Sequence, residues 1–339
     1  MTKLHINHPY LDTNNITIKQ DGDIIKLTVN TLFPCDTQHD MLVSYLSAQI
    51  GQKIAVDFNC NIIPHKVKDG VIRIKNIKNI IAVTSGKGGV GKSTTAINLA
   101  ISLKNNGANV GILDADIYGP SVPRLVGGCD YKPEVEDAMF VPFEKFGIKI
   151  MSFGFLIAEE QPAIWRGTIV NKALDQMLLD TKWGEIDYLI IDMPPGTGDI
   201  HLTMCQKMPI TAVVTVTTPQ DIALLDVKKS IAMYQKLGIP CLGIIENMST
   251  HICSNCGHIE HIFGEGGADK LANKFNLDLL AKLPLNIDIR ISCDNGEPVT
   301  LQQNKIKDIY DKLAVDVAMK LSKLSKDYSS ILGKINIVK

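Results

Sequence analysis

One short stretch, TSGKGGVGKSTT at residues 84–95, limits the possible folds of this chain more than any other feature. It fits the phosphate-binding pattern G-x-x-x-x-G-K-[ST], with Gly86 at its start and Gly91, Lys92 and Ser93 at its end. A run rich in β-branched residues precedes it and a helical stretch follows. In this setting backbone N–H groups turn toward phosphate oxygens, and the helix N-terminus adds partial positive charge. The stretch therefore predicts a nucleotide site.

The charged side chains of this site can be assigned from the same pattern. Lys92 would neutralise the β and γ phosphates, and Ser93 would hold magnesium. Asp192 closes the apolar run YLIID and would be the second magnesium ligand, because metal chemistry here needs a carboxylate at the end of a neighbouring strand. The predicted nucleotide contacts within the loop are Gly86, Lys87, Gly88, Gly89, Val90, Gly91, Lys92, Ser93 and Thr94.

Two further segments are expected near the γ phosphate. Asp114 and Asp116 follow the strand after the loop helix, and one of them would orient the attacking water, while the other would be a hydrogen-bonded turn residue. The residues 194–199, PPGTGD, would contact the γ phosphate through backbone N–H groups and change shape on hydrolysis. They are the predicted second switch.

Strand-like and helical stretches alternate from residue 80 onward, which predicts an α/β fold with a doubly wound, mostly parallel sheet. The strands are near-continuously apolar, as expected when both faces of a sheet are covered. They are predicted at Ile80–Thr84, Val110–Asp114, Tyr188–Asp192, Ala212–Thr217 and Cys241–Glu246, and a helix is predicted at Asp221–Leu237.

The first 75 residues differ from the rest and predict a small N-terminal α/β domain, with residues 76–339 as the P-loop ATPase domain. Strands at Ile24–Val29 and Ile54–Phe58 flank a helix at Asp40–Ile50. A basic segment, Lys66–Lys78, would link the two domains and face solvent.

Several motifs together resemble one family. GKGGVGKS is similar to the deviant Walker A loop of the MinD, ParA and nitrogenase iron protein class, and DADIYGPSVP, DMPPGTGD, TTPQDIAL and ENMSTHICSNCGH resemble the Mrp/ApbC-type iron–sulfur carrier ATPases. The resemblance runs from Ile80 to Val299. It implies that Lys87 reaches across a homodimer to the partner's nucleotide, that Asp116 is the catalytic aspartate of the first switch, and that Asn247 contacts adenine. ATP is then the expected nucleotide.

Cys253 and Cys256 are the only closely spaced pair among eight cysteines, and they are half of a metal site. Three interpretations remain open from the residues: zinc completed by His251, His258 or His261; a redox dithiol; or a cluster shared by two subunits. Zinc ligand pairs are usually farther apart in sequence, and redox pairs usually begin a helix. A two-fold dimer would bring four thiolates together, which suits a bridging [4Fe–4S] cluster. The resemblance also favours this third interpretation.

The remaining expectations come from composition and from the chain ends. With 339 residues and a net charge of −1, nothing in the overall charge favours nucleic acid as a partner. Without a signal peptide or an apolar run near the roughly 20 residues that span a bilayer, a cytoplasmic location is expected.

The expected function is an ATP-hydrolysing carrier that transfers its cluster to apo iron–sulfur proteins. The alternative is a partitioning or membrane-positioning ATPase on the same fold. That alternative would need a basic face or an amphipathic tail. Ile331, Leu332, Ile335 and Val338 do have helical spacing, but Gly333 interrupts them, so no stable membrane association is expected.

Overall fold

The computed structural model describes residues 7–21, 24–117, 119–156 and 167–327. The strands within these ranges are β1 (Ile16–Asp21), β2 (Ile24–Thr31), β3 (Ile54–Cys60), β4 (Ile77–Ser85), β5 (Val110–Asp114), β6 (Val135–Glu136), β7 (Met139–Phe140), β8 (Phe143–Lys145), β9 (Ile148–Ser152), β10 (Ile186–Asp192), β11 (Ala212–Thr217), β12 (Cys241–Glu246), β13 (His251–Ile252), β14 (Ile259–Glu260) and β15 (Leu279–Lys282). The helices are α1 (His39–Ile50), α2 (Lys92–Asn105), α3 (Val122–Leu125), α4 (Phe153–Leu156), α5 (Gly167–Leu179), α6 (Asp199–Lys207), α7 (Asp221–Leu237), α8 (Gly267–Phe275), α9 (Ile287–Asp294) and α10 (Lys305–Ser322).

The central sheet has the strand order β15-β12-β11-β4-β10-β5-β9-β8 in the described part of the chain. All neighbouring strands are parallel except β8 and β9, which are antiparallel. The chain first moves from β4 toward β9 and then returns to β10, which inserts between β4 and β5. This topology confirms the predicted α/β class with a mostly parallel sheet, and it places the ligand crevice at the carboxyl ends of the central strands.

The central strands lie where their apolar sequences predict them. β5, β11 and β12 have the predicted limits, whereas β4 and β10 begin earlier than predicted. Every residue of β10 is buried, because β-branched and leucine side chains on both faces pack under helices. Helix α2 is also buried along most of its length, since α10 covers its outer face. The phosphate loop therefore connects two fixed elements.

The N-terminal unit contains a three-stranded sheet, β1-β2-β3, in which α1 connects the parallel pair β2 and β3. Its strands and helix confirm the predicted elements, and β1 adds an antiparallel strand that was not predicted. Leu27 and Leu42 belong to the same continuous hydrophobic core as the central sheet. The division of the chain after residue 75 therefore stays a prediction.

The basic segment after β3 is fixed to the body of the protein. His65 is fully buried and lies near Asn79 and Ser322, and Arg73 forms an ion pair of 3.0 Å with Asp327. The segment also ends earlier than predicted, because Ile77 and Lys78 are already part of β4. Lys66 and Lys75 are exposed, as a solvated face predicts, and only the predicted end of the segment at Lys78 was wrong.

Within the described ranges, no helix is both long enough and apolar enough to cross a membrane. The tail residues Ile331, Leu332, Ile335 and Val338 lie outside the described residues.

Candidate nucleotide and cluster site

The phosphate loop connects the last residue of β4, Ser85, to the first residue of α2, Lys92. Gly91 has a φ of +82°, a backbone conformation that favours glycine, and a Cβ there would lie 2.1 Å from the Asn247 amide nitrogen. The loop lines a cleft of about 250 Å³. Its lining residues are Ser85, Lys87, Gly88, Gly89, Gly91, Lys92, Ser93, Thr94, Asp116, Gly119, Ser121 and Pro195. The cleft thus contains most of the predicted nucleotide contacts.

Lys92 joins three of the predicted site residues. Its Nζ lies 2.6 Å from Asp192 Oδ1, 3.5 Å from Asp116 Oδ2 and 3.3 Å from Ser93 Oγ. Burial opposes the charge of Lys92, but the carboxylates of Asp192 and Asp116 outweigh it and raise the pKa of the amine. Lys92 therefore stays a cation. The cation expected to bind phosphate thus contacts the carboxylate expected to bind magnesium.

The residues present fit magnesium. Asp192 is fully buried, and its Oδ2 has no hydrogen-bond partner among the described residues. An unpartnered buried carboxylate oxygen is costly unless a ligand completes it. Ser93 lies at the same end of the cleft, next to Lys92. Asp192 and Ser93 are thus the two groups that would hold the ion.

Asp114 and Asp116 have different surroundings. Asp114 is fully buried and accepts hydrogen bonds from the backbone of Asp116 (3.1 Å) and Val122 (3.2 Å) and from Ser152 Oγ (2.9 Å). Burial and the nearby Asp192 raise its pKa to about 7. Asp114 therefore holds the turn after β5. Asp116 lines the cleft instead, where burial raises its pKa and Lys92 opposes that shift.

The predicted second switch lies against the phosphate loop. The Gly196 N–H donates to Ser85 O at 2.9 Å, and Pro195 lines the cleft. Pro194 is buried, whereas the next residues become progressively exposed. The first residue of the loop is therefore packed in the core, whereas its middle residues face solvent, as expected for a segment that changes shape.

Lys87 lies at the mouth of the cleft. Its side chain is half-buried, and its Nζ contacts Gln220 Oε1 at 3.3 Å. Gln220 is the residue before α7, so the contact holds the lysine beside the start of that helix. Among the described residues no carboxylate of the same chain pairs with Lys87.

Asn247 follows β12 and packs against the phosphate loop. Its Nδ2 donates to Val90 O at 2.9 Å, and its backbone N–H donates to Thr217 O at 2.7 Å. The loop and the end of β12 are thereby held together. Contact of Asn247 with adenine stays a prediction.

Cys253 and Cys256 lie in the turn of a short hairpin formed by β13 and β14. The Gly257 N–H donates to Cys253 O and the Cys253 N–H donates to His258 O, each at 2.9 Å. Cys253 is half-buried and Cys256 exposed. Backbone N–H groups of Cys256 and Asn255 lower the pKa of the Cys253 thiol. The turn therefore favours a thiolate at the surface.

The neighbouring histidines do not complete a site around these thiols. His261 Nδ1 lies near Ser249 O at 3.3 Å and its Nε2 near Glu265 at 3.7 Å, while His251 faces Glu260 at 3.9 Å. Over the described residues, no group of three or more His, Cys, Asp or Glu side chains could hold a metal ion. The pair is thus an incomplete ligand set in one chain. Exposed isoleucines surround it: Ile252, Ile259 and Ile262.

His201 was not singled out from the sequence. It is 1% exposed, and its ring nitrogens lie 3.0 Å from Pro194 O and 2.7 Å from the Tyr234 hydroxyl. The signal in the sequence that could have identified His201 was a polar residue on the buried side of α6, shortly after the predicted second switch.

The chain is similar in sequence to known proteins. The ParA sequence family, described as "NUBPL iron-transfer P-loop NTPase", matches residues 76–318. The iron-sulfur cluster carrier protein of Salmonella typhimurium is 45% identical over 94% of this chain and 90% of its own length. The protein of the same description from Pseudomonas fragi is 53% identical over 77% of this chain and 92% of its own length.

Among solved structures, a nucleotide-binding protein in complex with ADP from Archaeoglobus fulgidus is similar in fold. It is 40% identical, has a TM-score of 0.58, and the match covers 66% of this chain and 88% of that one.

Proposed function

Because the chain belongs to the NUBPL iron-transfer family of P-loop NTPases, we propose that it is an ATP-hydrolysing carrier of iron–sulfur clusters. The observation that carries the proposal is an incomplete cysteine pair in a surface hairpin, at the same carboxyl edge of the sheet as a complete phosphate loop. The relatives named as carriers are 45% and 53% identical, which favours this function over a partitioning or membrane-positioning ATPase.

ATP hydrolysis would depend on the charged residues around Lys92. Lys92 would turn to the phosphates, while Asp192 and Ser93 would hold Mg²⁺, which neutralises phosphate charge when it is bound. Asp116 lines the cleft and would orient the attacking water. Asp114 already accepts three hydrogen bonds and would keep Asp116 in place.

A homodimer would account for two unusual features of the chain, the additional lysine in the phosphate loop and the incomplete cysteine pair. Lys87, beside Gln220 at the mouth of the cleft, would contact the nucleotide of the partner. Such a charge supplied in trans contributes about 10³ to 10⁵ in rate in related enzymes. Exposed apolar side chains lie on the same side, at Ile222 and Leu225 of α7 and around the cysteine hairpin. Burying them would stabilise the dimer.

The cluster would be the cargo of this dimer. Two copies of Cys253 and Cys256 supply four thiolates, the number that a [4Fe–4S] cluster needs. Zinc bound within one chain would lack further ligands near the pair among the residues that the structure describes. A thioredoxin-like dithiol lacks the helix N-terminus that usually lowers the thiol pKa, because the pair lies in a hairpin turn. Exposure of Cys256 would let apo iron–sulfur proteins of the cytoplasm take the cluster over.

Anaerobic reconstitution tests the proposal. Iron and sulfide content, the visible absorption spectrum and the mass in solution would be measured for the wild type and for Cys253→Ala and Cys256→Ala. Cys129→Ala is the matched control, since Cys129 is also an exposed free thiol. We expect a dimer with about four irons, lost in both hairpin variants and kept in the control.

Two results would contradict the proposal. One is a full iron load in Cys253→Ala or Cys256→Ala, and the other is a fully loaded, hydrolysing monomer. ATP binding should remain in all three cysteine variants, which separates loss of the cluster from loss of the fold.

A further inference from the structure

His201 is a buried, titratable side chain in direct contact with the second switch. It lies in the first turns of α6, immediately after the switch, and is 1% exposed. Its partners are Pro194 O at 3.0 Å and the Tyr234 hydroxyl at 2.7 Å. The ATPase chemistry described above does not use it.

The two contacts define the protonation of the ring. A carbonyl oxygen can only accept, so Nδ1 must carry a hydrogen and donate to Pro194 O. Burial lowers the pKa of His201 to about 4, so the ring is neutral near pH 7. A neutral ring with Nδ1–H has a lone pair on Nε2, which accepts from the Tyr234 hydroxyl.

Pro194 is the point at which the switch leaves the core. The preceding residue, Met193, is bonded to Val83 O at 3.1 Å, and Gly196 is bonded to Ser85 O at 2.9 Å. Pro195, between these bonds, lines the nucleotide cleft. The direction of the Pro194 carbonyl therefore determines how residues 195–196 approach the γ phosphate.

Tyr234 is the second hydrogen-bond partner of His201. It is fully buried in α7, and α7 packs against β4, the strand that leads into the phosphate loop. The bonds from Pro194 through His201 to Tyr234 thus connect the switch to a helix that packs on the strand carrying the phosphate loop.

We propose that His201 is a positioning residue for ATP hydrolysis: through its bond to Pro194 O, with Tyr234 orienting its ring, it holds the second switch in the conformation that contacts the γ phosphate. This inference rests on the proposed ATPase function. His201 does not touch the reacting atoms, so its loss should slow hydrolysis without weakening nucleotide binding.

The test compares His201→Leu, His201→Gln and Tyr234→Phe with the wild type. Single-turnover hydrolysis, the dissociation constant of MgADP, the melting temperature and the iron content would be measured for each. We expect the rate to fall about tenfold or more in His201→Leu, while the MgADP constant changes less than about threefold. His201→Gln keeps a donor and an acceptor and should retain most of the rate.

A double-variant cycle and a second histidine exclude a general structural effect. Tyr234→Phe should slow hydrolysis less than His201→Leu, and the combined variant should be no slower than His201→Leu alone, because both act through one bond. His65 is the matched control: it is as deeply buried but bonds to Asn79, far along the chain from the switch. His65→Leu should lower the melting temperature and leave the rate of the folded protein unchanged.

Unchanged hydrolysis in His201→Leu would overturn the inference, and so would a loss in His201→Gln equal to that in His201→Leu. If His201→Leu does not fold, Tyr234→Phe decides: a wild-type rate and a wild-type MgADP constant in that variant contradict the proposal. A wild type that hydrolyses ATP but holds no iron would contradict the carrier function alone, because the hydrolysis rates still test His201.

Discussion

The phosphate loop and the cysteine hairpin lie at the same edge of one sheet, yet their surroundings are opposite. Lys92, Asp192 and Asp114 are buried, and each has partners on other elements. Cys253 and Cys256 lie in a surface turn, and the backbone bonds described for that turn join residues of the hairpin itself. Within the described residues, the nucleotide cleft is thus built from buried side chains of several elements, whereas the cysteine pair is an incomplete ligand set, as the proposed shared cluster requires.

The largest effect is expected at the buried site. Lys92→Ala removes the cation from two carboxylates, and breaking such a buried pair costs about 3 to 5 kcal/mol. ATP hydrolysis should fall by at least about 10³-fold, since the lysine also neutralises phosphate charge. Isothermal calorimetry with MgATP and chemical denaturation would measure both. Retained tight MgATP binding would show that Lys92 does not bind the phosphates.

A smaller but more specific effect is expected for Lys87. Its substitution tests whether the residues of one chain are enough to complete the nucleotide site. Lys87→Ala should lower the hydrolysis rate by about 10³-fold with little change in MgADP affinity, because the partner's lysine supplies the charge.

Mixing two inactive variants sharpens this test. In a heterodimer of Lys87→Ala and Asp116→Asn, one of the two sites has both an intact Asp116 and a partner's Lys87. Random pairing should therefore restore about a quarter of the wild-type rate. Activity that stays at the level of the separate variants would place the action of Lys87 within its own chain.

Acid should weaken the core beneath the nucleotide site more than it weakens the hairpin. His201 has a folded pKa of about 4, against 6.5 as the ordinary value. The unfolded chain therefore binds the proton first, and stability present above pH 6.5 is lost as the pH falls toward 4, by about 2 kcal/mol at pH 5.

His201→Gln should lack this loss, so the difference between wild type and variant in denaturant midpoint should shrink or reverse between pH 7.5 and pH 5. The comparison isolates His201 because the raised pKa of Asp114 acts in the opposite direction and is present in both proteins. Equal loss of stability in both proteins would contradict the assignment of the acid sensitivity to His201.

The smallest effect is expected in the hairpin. Cys256→Ser changes an exposed thiol in a turn and should alter the free energy of unfolding by no more than about 0.5 kcal/mol in the absence of iron. Thermal denaturation of the apo-protein measures this. A large loss would mean that the hairpin is part of the core and would remove the contrast between the two sites.

Much of the molecule could be predicted from local sequence. The phosphate loop, the close cysteine pair and the buried strands depend on short-range patterns of glycine, cysteine and β-branched residues; these strands are Val110–Asp114, Ala212–Thr217 and Cys241–Glu246. Weak signals were missed: β1 and β8 are short or exposed edge strands, for which a one-sided apolar pattern is too brief to detect.

Local sequence specifies which residues could bind phosphate, metal and sulfur, because those chemistries need particular side chains at fixed spacing. Which of these residues come into contact depends on the folding of the whole chain. The insertion of β10 between β4 and β5 places Asp192 against Lys92, 100 residues away, and packing of α6 on α7 places His201 against Tyr234. Such contacts follow from strand order and burial, which depend on the whole chain and not on any local period.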